Sequence, residues 1–64
     1  MYKYFTILRP VSIGTFPKEG FVDFVNFDKR RFVPEIDHNA WGYLLYDREL
    51  TEKEIHSYDF MPMP

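Results

Sequence analysis

The sequence predicts an α+β domain: a small, mostly antiparallel sheet of three or four strands with one short C-terminal helix. Three observations predict it. Runs rich in aromatic and β-branched residues recur at 2–9, 21–27, 31–35 and 40–47. Polar or Gly- and Pro-bearing stretches separate those runs. A capping-box sequence, Thr51-Glu52-Lys53-Glu54, marks a helix start near the end of the chain.

The first strand is expected over 2–9. Phe5, Ile7 and Val11 are expected to point one way and Tyr4, Thr6 and Leu8 the other, and Pro10 ends the hydrogen-bonding run. Residues 12–20 hold Gly14, Gly20 and Pro17 and read as a loop, with Ile13 and Phe16 tucked beneath it. In that loop, Gly14 supplies a positive φ between Pro10 and Pro17, or Arg9 and Ser12 form surface contacts beside it. The run Phe21-Val22-Asp23-Phe24-Val25-Asn26-Phe27 is apolar on both faces, as in a central strand.

The polar stretch Asp28-Lys29-Arg30-Arg31 reads as a hairpin turn into a short strand over 31–35, which Pro34 confines to an edge. Glu35–Asn39 is a polar connection. The strand at 40–47 follows, with Trp41, Tyr43 and Leu45 on one face and Ala40, Gly42, Leu44 and Tyr46 on the other. Gly42 inside it marks a bulge or a close backbone approach. The helix is expected over 52–58: Thr51 is the N-cap, and Leu50 and Ile55 form a hydrophobic staple. Pro62 and Pro64 forbid its continuation, so residues 59–64 read as an extended tail.

The whole chain, 1–64, reads as a single domain. Seven Phe, five Tyr and one Trp make up 20% of it, and most of these rings are needed to give so short a chain a core. The absence of cysteine excludes disulfide scaffolds and Cys-based zinc modules. A net charge of −2 argues against a strongly basic nucleic-acid binder. No run approaches the roughly 20 apolar residues of a membrane span, and the first residues lack a signal-peptide pattern. A cytoplasmic location without membrane contact is the expectation.

Catalytic and metal signals are weak. His38 and His56 lie 18 positions apart with no Cys or third His. His56, Ser57 and Asp59 are neighbours along a helix and do not face one another as a triad would. No phosphate-binding Gly motif is present. A non-enzyme without cofactor or metal is expected, since catalytic clefts enclose about 300–1,000 Å³.

Binding signals are stronger. One short helix covers one face of a sheet, which leaves some of Tyr4, Phe24, Tyr43 or Tyr46 exposed on the other. Exposed Tyr, Trp and Phe beside Arg have the composition of a protein interface. Lys29-Arg30-Arg31 is the one basic run: it contacts phosphate or an acidic surface, or it is a solvated turn that keeps Phe27 and Phe32 from edge pairing. The candidate binding residues are therefore Tyr4, Lys29, Arg30, Arg31, Trp41 and Tyr43. The expected partner is another protein or a second copy of the chain. The alternative is a nucleic-acid-binding accessory domain that uses Lys29, Arg30, Arg31 and flanking aromatics.

Four blocks carry a family resemblance: Arg9-Pro10-Val11-Ser12-Ile13-Gly14-Thr15-Phe16-Pro17, Val25-Asn26-Phe27-Asp28, Ala40-Trp41-Gly42-Tyr43 and Leu50-Thr51-Glu52-Lys53-Glu54. In these the chain resembles a small bacterial protein family akin to the large polyvalent protein-associated modules of phages and conjugative elements, chiefly of Firmicutes. The resemblance implies mobile-element biology, with defence or counter-defence as its setting. It implies no activity and supplies no catalytic residues.

Overall fold

A computed structural model describes residues 1–64. Strands β1 (Tyr2–Thr6), β2 (Phe21–Val33), β3 (His38–Tyr46) and β4 (Phe60–Pro62) form one open sheet in the spatial order β2-β3-β1-β4. Every neighbouring pair is antiparallel. Helix α1 spans Glu52–Tyr58, and a 3₁₀ turn spans Pro34–Ile36. The predicted α+β class is the observed one.

The pleat sorts the rings between two clusters. Tyr4 opposes Leu44 and Phe5 opposes Tyr43, so successive residues of β1 serve opposite faces. Tyr4, Leu44, Tyr46, Val11, Leu50 and Phe60 form the larger cluster, under the 7–20 loop and α1. Phe5, Val33, Ile36 and Ala40 form the smaller one, flanked by Ile7, Phe27, Tyr43 and Met61. Tyr46 is fully buried, and its hydroxyl donates to the Pro17 carbonyl at 2.7 Å. Burial pushes that phenol up to about 12.

The 7–20 loop is held down at Val11. The Asn26 side chain accepts from the Val11 N–H at 2.8 Å and donates to the Val11 carbonyl at 3.0 Å, taking the place of a strand partner. Gly14 has φ 86°, the positive value its residue type allows. Phe16 packs on Phe21 with ring centroids 4.6 Å apart. Ile13, expected beneath the loop, is instead 87% exposed: the loop is anchored through Val11 and Phe16, and the intervening turn stands clear of the sheet.

Four further expectations are corrected. The first strand ends at Thr6, where both of its pairings end, opposite Gly42 and Phe60. Residues 28–31 make no hairpin turn: β2 runs through them, and both of its halves pair with β3. The register slips between Asn26↔Gly42 and Arg31↔Ala40, so residues 27–30 of β2 face Trp41 alone on β3. Asp28, Lys29 and Arg30 are exposed there, so water satisfies the backbone groups that leave the ladder. The real β2–β3 reversal lies at 34–37, where Pro34 opens the 3₁₀ turn and Asp37 (φ 52°) closes it, its N–H donating to the Pro34 carbonyl.

The fourth correction concerns the tail. Asp59 closes α1 at φ 56°, which turns the chain back so that Phe60–Pro62 pairs with β1 as β4. Pro62 is tolerated because β4 is an edge strand. The predicted capping box is present in full: Thr51 Oγ1 accepts from the Glu54 N–H, and Glu54 accepts from the Thr51 N–H. Gly42 is a site of close approach. A Cβ there would collide with the Val25 carbonyl oxygen and lie 3.0 Å from Asn26 Cα.

Candidate interaction face

The most distinctive surface lies over the smaller cluster. Strand parity puts Lys3 on the same face of β1 as Phe5, and the register brings Tyr43 opposite Phe5. The Lys3 ammonium sits 4.4 Å from the centroid of Tyr43 and 5.9 Å from that of Phe5. Tyr43 meets Phe5 and Phe27 edge to face, at 6.0 and 6.1 Å. The Arg31 guanidinium lies over Phe27 at 3.9 Å. The result is a row of cation, ring, ring and cation: Lys3, Tyr43, Phe27, Arg31. Each cation is drawn to the negative face of its ring, which favours that position by about 0.5–1 kcal/mol.

Beside this row lies an open groove of about 200 Å³, lined by Lys3, Phe5, Phe27, Arg31, Phe32 and Val33 together with Pro34 and Glu35. Phe32 is 55% exposed. The chain has one salt bridge, Arg48–Glu54, so Lys3 and Arg31 have no carboxylate partner. Glu35 shares the groove without pairing with either.

Two of the expected binding residues belong to this face. Arg31 and Tyr43 are members of the row; Trp41 is the half-buried residue of β3 opposite the slipped stretch and lines neither the row nor the groove. Lys29 and Arg30 are exposed on that stretch, outside the row. Tyr4 is a correction: it is 2% exposed, lies in the larger cluster, and its hydroxyl accepts from the Leu50 N–H at 2.8 Å. The 7–20 loop and α1 cover the Tyr4 face, so that ring serves the core.

Sequence reasoning did not single out Lys3. Its parity with Phe5 was readable, but its place over Tyr43 depends on the β1–β3 register, which no local pattern encodes. Phe27 was considered as a flanking ring, and its partnership with Arg31 follows from the slip in β2.

A second polar site braces the helix. Arg48 donates two hydrogen bonds to Glu54, both at 2.9 Å, and its Nε donates to the Glu19 carbonyl at 2.8 Å. The Arg48 pairing, with the Thr51 N–H, holds the Glu54 carboxyl down to about 2. This bridge joins the 7–20 loop to the start of α1, a structural task. His38 Nδ1 lies 2.7 Å from the Asn39 carbonyl, and His56 is exposed on α1. No three His, Asp or Glu side chains converge as a metal site. No helix is long and apolar enough to cross a membrane.

Fold and face together define a small α+β domain with a half-open sheet surface on which two cations flank a pair of rings. The chain belongs to the family described as Defence against restriction A C-terminal, whose model matches residues 1–64. This agrees with the mobile-element setting that the resemblance implied. No curated protein and no solved structure matches the chain.

Proposed function

We propose that this domain is a non-catalytic protein-interaction module serving defence against restriction, and that the Lys3–Tyr43–Phe27–Arg31 face is its contact surface. One observation carries the reading: two cations without carboxylate partners are held in place on an accessible bed of rings. Aromatic residues and Arg are enriched at protein interfaces and dominate their energetics. Holding the cations before contact lowers the ordering cost of binding.

The nucleic-acid reading draws support from Phe32, exposed beside the basic run of β2. It is the weaker of the two. Stacking platforms offer open ring faces to bases, whereas Lys3 and Arg31 already lie over Tyr43 and Phe27. The net charge of −2 also opposes a phosphate backbone.

The test is a plating assay of the mobile element on a restricting host. Its defence protein carries this domain either unchanged or with Lys3→Glu and Arg31→Glu. Loss of protection with normal protein abundance and an unchanged melting curve supports the reading. Full protection by the doubly reversed face refutes it. Binding of single-stranded DNA with a log–log salt slope near −0.7 per phosphate contact would move the assignment to the nucleic-acid reading.

A further inference from the structure

We propose that the groove lined by Lys3 and Arg31 receives an extended acidic segment of a partner protein, in which carboxylates and apolar side chains share the face turned to the groove. This inference rests on the proposed interaction role and specifies the chemistry of its ligand. Three features of the groove select such a segment.

The first is charge. Lys3 and Arg31 both line the groove, and neither has a carboxylate within the chain. Arg presents a planar fork suited to a carboxylate, and Lys a compact point charge. Ring contacts hold both heads in place without neutralising them.

The second is the apolar floor. Phe27 and Phe32 line the same groove, with Phe32 exposed, while Phe5 and Val33 are themselves buried. Apolar side chains placed between the carboxylates would bury against Phe27 and Phe32, which a bare phosphate or free anion cannot do. In an extended segment residues i and i+2 face the same way, so carboxylates and apolar side chains that alternate at every second position both turn toward a groove whose cations lie over its rings.

The third is Glu35, which also lines the groove and pairs with neither cation. A ligand carboxylate placed beside it is repelled, so Glu35 limits how acidic the ligand is there.

The experiment titrates the chain with fluorescent ten-residue peptides. One repeats Glu-Ser-Leu-Ser, which sets Glu and Leu on one face when extended (the Glu–Leu peptide); its counterpart carries Gln in place of Glu (the Gln–Leu peptide); a third probe is a 12-nucleotide single strand of DNA. The Glu–Leu peptide is expected to bind, and the Gln–Leu peptide to bind roughly tenfold or more weakly, as charged hydrogen bonds at each cation are lost. Lys3→Ala and Arg31→Ala should each weaken the Glu–Leu peptide by a similar factor. Glu35→Gln should tighten it severalfold. Phe32→Ser is a second arm that keeps both cations and should weaken both peptides alike.

Equal binding of the Glu and Gln peptides, no binding of either, or stronger binding of the DNA overturns the proposal. The plating assay separates this failure from failure of the interaction role. If the reversed face abolishes protection and the acidic peptide does not bind, the role stands and the ligand chemistry is wrong. If the peptide binds as expected and the reversed face still protects, the groove chemistry stands and the role falls.

Discussion

Replacing Tyr4 with Phe removes one oxygen and tests whether this ring belongs to the core or to the surface. Tyr4 is 2% exposed, and its hydroxyl is the acceptor for the Leu50 N–H at 2.8 Å. Leu50 is itself buried, at the N′ position before the Thr51 cap. Phenylalanine keeps the edge-to-face packing on Tyr46 at 5.9 Å and the contact with Phe60 at 6.4 Å. What it takes away is the acceptor, so the Leu50 N–H is left buried and unpaired. An orphaned buried donor costs about 1–3 kcal/mol. A domain of this length has a total stability of about 3–10 kcal/mol. Each kcal/mol shifts the melting temperature by about 4–8 °C at this size. Calorimetry should therefore show Tyr4→Phe melting about 4–24 °C below the parent chain. The Leu50 amide proton should exchange faster with solvent than in the parent. Tyr2→Phe, at a 47% exposed position two residues earlier, should lie within about 0.5 kcal/mol of the parent and serves as the control. A Tyr4→Phe variant as stable as the Tyr2→Phe control would refute the reasoning. Tyr4 would then be a ring whose hydroxyl matters elsewhere.

Two further predictions concern the helix bridge and the sheet. The Glu54 carboxyl falls to about 2 in the folded chain from an ordinary 4.5, so its bonds to Arg48 and Thr51 stabilise the fold above pH 4.5 and lose that contribution as the pH drops towards 2. The melting temperature of Glu54→Gln should therefore lie furthest below the parent above pH 5 and converge on it near pH 2; a gap independent of pH sinks this assignment. Gly42→Ala should be destabilising by about 1–3 kcal/mol in urea unfolding, because its methyl group meets the Val25 carbonyl oxygen and forces β2 away from β3. An increase in stability, the usual sign of a tolerated Gly→Ala change, would show that the backbone yields there.

Much of the fold was legible because local chemistry dictated it. The capping box fixed α1 to the residue: Thr51 and Glu54 satisfy each other's backbone N–H groups whatever the helix packs against. The alternation of Tyr43–Tyr46 set those two rings on opposite faces, whereas Ala40, expected beside Leu44 and Tyr46, packs in the smaller cluster with Phe5 and Tyr43. Gly42 was readable as a close approach. The failures share one cause. Asp28-Lys29-Arg30-Arg31 has the composition of a turn, yet charged residues are equally content in a slipped, solvent-facing stretch of a continuing strand. The choice between the two is made by β3, whose nine residues pair with both halves of β2. Phe60-Met61-Pro62 became a strand for a similar reason: α1 turns back at Asp59 and offers the segment to the open edge of β1.

The same distinction explains what was missed at the interaction face. Composition supplied its ingredients, and Arg31 and Tyr43 were named from sequence. What makes them a site is their order in space, and that order depends on two registers. The β1–β3 pairing sets Phe5 against Tyr43 and so brings Lys3 over the Tyr43 ring. The slip in β2 lets Arg31 fold back over Phe27, four positions earlier in its own strand. In an unbroken strand, residues i and i+4 lie about 13 Å apart, too far for that 3.9 Å contact to form without long side-chain reach. The irregularity that defeated the hairpin prediction is thus what assembles the second half of the cation–ring row. A change that restored regular pairing at residues 27–30 would keep every residue of the face and still dismantle it.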